Sequence, residues 1–280
     1  MPNTKWIVVP VALLTLTAAV TLRAQLPLEP VRERGQSISP AFEGWYQNPD
    51  GTFTLLIGYY NRNRAQILDI PVGPNNRIEP GGPDQGQPTH FLSRRQWGVF
   101  SVTVPKDFGN KRLTWTLTAN GETNAIPVGL IPSYQIEPFK DAAMGNTPPV
   151  LKLQAAGPEL VGPPRTTALS LTTTVGEPMP FTFWVSDDHH AAEGEKPRSG
   201  RPATVFLSKF RGPGDVKFDD ARPLADFTAG GKVTVAATFS APGEYIVRIQ
   251  VNDSSGDGGG GFQCCWTNGH VKVTVAGAAK

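Results

Sequence analysis

Charge is scarce in this chain. Asp, Glu, Lys and Arg make up 18% of its 280 residues, and the signs nearly cancel, with 26 basic against 24 acidic side chains. Such a balance carries no electrostatic footprint for nucleic acid and no basic stripe for an anionic lipid surface. Histidine is limited to His90, His189, His190 and His270, and cysteine to the adjacent pair Cys264 and Cys265. The H-E-x-x-H of zinc hydrolases and the G-x-S-x-G nucleophile elbow are both missing. The glycine run Gly258–Gly261 is followed by neither Lys-Ser/Thr nor a helical pattern, so it is no phosphate cradle. A sustained i, i+3, i+4 apolar period is also absent, and no long helix is expected.

What the chain has in quantity is glycine (30), proline (27) and a 39% hydrophobic fraction. Enough apolar surface to bury a core, cut at short intervals by turn residues, points to an all-β protein of many short strands. At the N-terminus Lys5 precedes an apolar run from Trp6 to Leu22, and Arg23-Ala24-Gln25 leads into a polar, Pro-rich stretch. Residues 1–24 read as a secretory signal peptide cleaved after Ala24. The competing reading, an uncleaved anchor, needs a span at the lower limit for a bilayer with Pro10 inside it. Cleavage removes Lys5 and Arg23 and no acid, leaving a neutral mature chain. The expected destination is secreted or periplasmic, with no stable membrane anchor.

Residues 25–40 form an irregular lead-in, and a first β-sandwich is expected over 41–139. Phe42–Gln47, then Asn48-Pro49-Asp50-Gly51, then Thr52–Tyr60 has the signature of a hairpin. In Leu113–Thr118 apolar residues alternate with threonine, and Asn120-Gly121 supplies the preferred pair for a type I′ turn. Phe100, Val102 and Val104 alternate with Ser101 and Thr103 in a further strand. The long Pro/Gly-rich loop Gly73–His90 lies between. Residues 140–149 read as a linker across which few contacts should pass. A second sandwich is expected over 150–276, followed by a tail, 277–280. Its seven strand candidates are Val150–Leu153, Leu169–Thr174, Phe181–Val185, Ala203–Phe210, Lys232–Phe239, Glu244–Val251 and His270–Val275, a number and spacing that suit an immunoglobulin-like sandwich. In the sixth, Tyr245, Val247, Ile249 and Val251 share one face, and Glu244, Arg248 and Gln250 take the opposite side. The fold class is thus two tandem β-sandwiches behind a signal peptide.

At Ser208–Phe218 (SKFRGPGDVKF) and Ala236–Asp253 (AATFSAPGEYIVRIQVND) the chain resembles the polycystic-kidney-disease-type (PKD-like) immunoglobulin-like domains of bacterial secreted proteins. The resemblance covers roughly residues 146–276, and Ala-Pro-Gly-Glu-Tyr is its most specific part. Physically, Pro242-Gly243 turns the chain between two strands, and Tyr245 can tie its hydroxyl back to that turn. Such domains are spacers, adhesion modules or carbohydrate- and protein-contacting modules, so the resemblance implies an exported, non-catalytic interaction, adhesion or scaffold protein. The charged loop from Asp187-Asp188-His189-His190 to Arg201 departs from the short turn usual in that family. Two other classes stay open: a glycan-binding module for cell-wall or extracellular polysaccharide, and an enzyme whose site the sequence does not display. Partners are expected to be protein or polysaccharide of the envelope or extracellular space.

Three groups of residues are candidates for chemistry. The loops Ser186–Pro202 and Asn252–Gly269 belong at one end of an immunoglobulin-like sandwich. They would bring Asp187, Asp188, Asp253 and Asp257 together as an oxygen set suited to calcium. His189, His190 and the cysteines form a nitrogen and sulfur set suited to zinc or copper. Simple solvated loops explain the same residues, because turns attract Asp, Asn and Gly for backbone reasons. No other cofactor is indicated. In an exported protein Cys264 and Cys265 are expected to form a vicinal disulfide bracing the turn before Trp266, with free thiols or interchain bridges as alternatives. Among the aromatics of the first half, including Trp45 and Tyr46, the set Tyr59, Tyr60 and Trp97 is the candidate stacking platform for a sugar. Tyr59 and Tyr60 are consecutive, so one of them faces the core. Mass spectrometry of the exported protein should find a mature chain beginning at Gln25. Recovery of a membrane-bound chain that keeps Met1–Ala24 would overturn the export assignment.

Overall fold

A computed structural model of the chain describes residues 32–137, 139, 145–164, 167–188, 203–253 and 264–278. The expected signal segment, 1–24, and residues 25–31 of the expected lead-in lie outside them. Arg32–Lys280 forms one compact unit. Almost all of its regular structure is strand; the helical content of the described residues is two short 3-10 turns, Pro132–Tyr134 and Phe227–Ala229. Among the described residues no helix is long and apolar enough to cross a membrane.

The first half contains β1 (Ile38–Gln47), β2 (Phe53–Asn61), β3 (Leu68–Asp69), β4 (Asn76–Glu79), β5 (His90–Phe91), β6 (Arg94–Val104), β7 (Arg112–Ala119) and β8 (Glu122–Gly129). Strands β1-β2-β6 make one antiparallel sheet, β4-β7-β8 a second, and β3 pairs with β5. The alternation seen at Leu113–Thr118 is realised in β7: Leu113, Trp115 and Leu117 are buried with Leu55, Ile57 and Val102 of the facing sheet. Asn120 and Gly121 both take positive φ (52° and 81°), as the type I′ turn between β7 and β8 requires. Trp115 and Asn76 fix this core further, since the indole Nε1 donates to Asn76 Oδ1 at 3.1 Å.

The second half contains β9 (Val150–Lys152), β10 (Leu169–Thr174), β11 (Met179–Ser186), β12 (Ala203–Arg211), β13 (Val216–Phe218), β14 (Lys232–Phe239), β15 (Gly243–Asp253) and β16 (Trp266–Ala276). They form two four-stranded sheets, β10-β16-β15-β12 and β13-β14-β11-β9, with β10 parallel to β16 and the other pairs antiparallel. Tyr245, Val247, Ile249 and Val251 face the core between the sheets with Phe183, Val235 and Phe239. The Tyr245 hydroxyl donates to Ala241 O at 2.8 Å, closing the Pro242-Gly243 turn. Several strand ends shift by one or two residues from the sequence-based strands, and two larger details differ. The short β13 was not foreseen, being only three residues at a sheet edge, and β16 starts at Trp266 rather than His270, because it pairs along the whole of β15 up to Asn252.

The polar face of β15 supplies the main departure from expectation. Arg248 is 2% exposed, and on β16 Asn268 and His270 are buried beside it. Their face of the sheet is covered by the first half of the chain. Contacts across the expected linker are therefore extensive rather than few. Trp266 packs edge-on against Phe139, which packs edge-on against Tyr46. Phe210 of β12 belongs to the apolar core of the first half. The loop Gly73–His90 also docks on this interface: Thr89 N donates to Phe210 O, and Arg211 pairs bidentately with Asp84 (2.8 and 3.0 Å) and donates from Nε to Gln87 O. Its length is used to reach across, which gives it a tethering role.

Gly98 occupies the tightest point of this contact. Its φ is +47°, and a Cβ there would lie 2.2 Å from the Trp266 indole. Gly98→Ala should therefore combine left-handed backbone strain with overpacking and lower the unfolding free energy by roughly 2–4 kcal/mol. Urea denaturation measures this, and an unchanged midpoint would mean that the indole does not rest on Gly98.

Candidate functional site

The site grows out of irregularities in the first sheet. β1 is bulged between Phe42 and Gly44, so Glu43 is the extra residue. Next to it, the register between β2 and β6 passes from Ile57 opposite Phe100 to Tyr59 opposite Gln96. Gly58 thus faces the three-residue excursion Trp97-Gly98-Val99. Bulges of this kind re-aim side chains out of the pleat. Here they send Glu43 inward, where its side chain is 1% exposed, and put Trp97 at the surface of the interface.

A continuous polar chain follows. Arg95 Nη2 pairs with Glu43 Oε1 at 2.7 Å, and Gly98 N donates to Glu43 Oε2 at 2.7 Å. Across the interface Asn268 Nδ2 donates to Gly98 O at 3.1 Å, and Arg248 Nε donates to Asn268 Oδ1 at 3.0 Å. Burial shifts the groups in and around this chain. The Glu43 carboxyl is pushed up to about 7, against the opposing pull of Arg95, the Gly98 N–H and Arg248. Burial also lowers Arg248 to about 10 and raises Tyr59. His270, its ring tilted against that of Phe210 at 4.2 Å, falls to about 3 through burial and then through Arg248 and Arg211, so it is neutral at physiological pH.

Beside this chain a cleft of about 630 Å³ opens between the two halves. Its floor is the outer face of the β12–β15 pair: Thr204 stands opposite Asn252 and Phe206 opposite Gln250. One wall is β6 with Arg95, Gln96 and Trp97 and the preceding Ser93, and the other is the segment Arg222–Phe227. Two arginines are stacked on its aromatics: Arg95 lies 3.7 Å from the centroid of the Trp97 ring, and Arg222 lies 5.3 Å from that of Phe206. Ile67 and Leu224, two of the exposed large apolar side chains, also line it. Among the described residues that line the cleft there is no Asp, Glu, His, Lys or Cys, so no pair suited to general acid–base or nucleophilic work converges there.

The sequence candidates distribute as follows. Trp97 lines the cleft. Tyr60 is 38% exposed on β2, opposite Arg95. Tyr59 is 1% exposed, packed on Phe91, and its hydroxyl accepts from Leu92 N at 2.8 Å. It belongs to the core and stands outside any stacking platform, because alternation points it inward. Asp188 and Asp253 are both held by the end of the expected linker, Thr147 Oγ1 donating to Asp188 Oδ2 (2.9 Å) and Asn146 Nδ2 to Asp253 Oδ2 (2.5 Å). Asp187 follows β11 beside them, while Asp257, His189 and His190 lie outside the described residues. Among the described residues no three His, Cys, Asp or Glu side chains converge in a metal-binding group. Cys264 and Cys265 are joined in a vicinal disulfide, buried immediately before Trp266, and Cys265 O accepts from Asp253 N at 3.0 Å.

Arg95, Arg222, Phe206, Gln250 and Asn252 were not singled out from sequence. The available signal was Arg94-Arg95-Gln96-Trp97-Gly98, a basic and aromatic cluster that interrupts the alternation leading to Phe100.

No family model matches the chain, that of PKD-like domains included, and no curated protein matches it. Solved structures give faint likenesses. Domains 4 and 5 of the S-layer protein SbsC are 12% identical over 59% of this chain and 65% of that one, with a TM-score of 0.23. The D0-D1 domain of intimin is 11% identical over 86% and 98%, at 0.24. An endo-fucoidan hydrolase, MfFcnA4 of glycoside hydrolase family 107, is 16% identical over 76% of this chain and 26% of its own, at 0.25. Likenesses at such scores establish neither a shared fold nor a shared activity.

Burial of Glu43 has a pH consequence with a definite sign. Its raised folded pKa gives a contribution to stability that is fully present below about 4.5 and is lost as pH rises through about 7. Glu43→Gln removes that loss, so the stability of the variant relative to the parent should improve by up to about 3 kcal/mol between roughly pH 5 and pH 8. His270 acts in the opposite sense in both proteins and cancels in the comparison, since its lowered pKa makes stability fall from about 6.5 downward. Urea titrations at the two pH values decide, and a pH-independent difference would show that Glu43 ionises normally.

Proposed function

We propose that this is an exported, non-catalytic interaction protein of the envelope or extracellular space, and that its ligand is received in the cleft between the two sandwiches. The observation that carries the reading is the composition of that cleft. Aromatic rings, neutral amides and hydroxyls and two arginines line a concave surface built from β6, β12, β15 and the segment Arg222–Phe227, with no acid–base pair among the described lining residues. Concave sites of this size with a few convergent polar groups are the usual form of a small-ligand or oligomer site. The PKD-like resemblance of residues 146–276 points to the same class of module, in which adhesion or scaffolding is the role.

A glycan ligand is favoured over a protein surface by one feature. Gln250 and Asn252, with Gln250 Nε2 donating to Asn252 Oδ1 at 3.1 Å, line the same cleft as the aromatic side chains Phe206 and Trp97. Amide groups and aromatic rings in one cleft suit the hydroxyls and C–H faces of a sugar. Retention on immobilised cell-wall polysaccharides tests the reading. Trp97→Ala and Asn252→Ala should each weaken retention about tenfold or more while the melting temperature stays within a few degrees. Variants that are retained as strongly as the parent would place the ligand elsewhere.

A further inference from the structure

We infer that the cleft takes a polysaccharide bearing negative charge, a polyuronate or a sulfated glycan, and that Arg222 is the residue that meets the anion. The inference rests on the reading of the cleft as a ligand site.

The charge distribution is its first support. Arg95 and Arg222 are the charged side chains among the described residues lining the cleft, in a chain whose 26 bases and 24 acids almost cancel. The two differ in commitment. Arg95 is largely engaged, with Glu43 on Nη2 and the carbonyls of Tyr59 and Gln96 on Nη1. Arg222 makes no ion pair among the described residues. Its backbone is held, because Arg222 N donates to Asp220 Oδ1 at 2.8 Å and Pro223 is buried. A guanidinium on a fixed base, resting on Phe206, is arranged to form the bidentate pair that carboxylates and sulfates accept.

The neutral part of the lining speaks for a sugar carrier. Thr204, Gln250 and Asn252 present hydroxyl and amide groups on one face of adjacent strands, and the exposed Ile67 and Leu224 add apolar surface. A polypeptide entering as an added strand would need the free edge of β12. That edge is engaged at Leu207, whose N–H is given to Ala221 O at 2.9 Å.

Titration calorimetry on the exported chain tests this with four probes: oligogalacturonate, sulfated dextran oligosaccharide, a neutral cello-oligosaccharide and polyglutamate. One anionic glycan should bind about tenfold or more tighter than the neutral one, with an affinity that falls as salt is raised. The probe that binds identifies the source of the charge as carboxylate or sulfate. Arg222→Gln should abolish the preference, and Lys217→Gln, exposed on β13 of the opposite sheet, should leave it intact. Equal affinity for neutral and charged glycans overturns the inference and leaves the cleft as a sugar site. Binding of polyglutamate alone overturns it in favour of an acidic polypeptide. Binding of none of the four overturns it as well, and the Trp97 and Asn252 variants then judge the cleft separately.

Discussion

The peptide unit of Gly98 is the joint on which this molecule turns. Its N–H is taken by Glu43 from within the first half, its C=O receives Asn268 from the second, and the Trp266 ring occupies the space where a side chain would stand. Only glycine at a positive φ meets all three conditions at once. The bulges in β1 and β2–β6 bring that peptide to the surface of the first sandwich, and the disulfide before Trp266 sets the start of β16 opposite it. The chain from Arg95 through Glu43, Gly98 and Asn268 to Arg248 pairs many of the buried polar groups, although Arg248 Nη2, Trp266 Nε1 and His270 Nε2 find no hydrogen-bond partner among the described residues. The interface specifies one mutual arrangement of the halves, because a slip of one residue would break the Asn268–Gly98 hydrogen bond and set a Cβ where Gly98 now admits the Trp266 ring.

The cleft is a consequence of the same joint. The first half covers the outer face of β15 and β16 at Arg248, Asn268 and His270 but leaves the Thr204–Asn252 end of that sheet open. Trp97, thrust out by the excursion on β6, forms the lip. The disposition of Arg95 then serves both roles: it compensates the buried Glu43 and cushions the Trp97 ring. Two ion pairs, Asp69 with Lys209 and Asp84 with Arg211, also join the halves.

Local features of the fold were legible in the sequence where local physics decides them. The turn at Asn120-Gly121, the alternation in β7 and β15 and the hydroxyl tie of Tyr245 follow from backbone preference and period-2 burial, which need no knowledge of distant residues. The all-β character follows from the same signals. What was not legible depends on long-range contact. Arg248 reads as a solvent-facing charge until the first half is laid over it. Trp97 and Tyr59 look alike as aromatics; regular alternation along β2 takes Tyr59 to the core, and only the three-residue excursion on β6 puts Trp97 in the cleft. The loop Gly73–His90 reads only as a long Pro/Gly-rich loop, although its Asp84 and Thr89 are partners of β12. Of the site, Trp97 was the one lining residue singled out beforehand. Arg222 and Gln250 carry no local signature, since their meaning comes from the β6 wall that faces them.

The central claim is that the buried polar interface makes the two sandwiches a single cooperative body, from which the cleft takes its shape. Scanning calorimetry of the protein tests it most directly. The account predicts one transition whose calorimetric and van't Hoff enthalpies agree. Two resolved transitions, one for each sandwich, would contradict it.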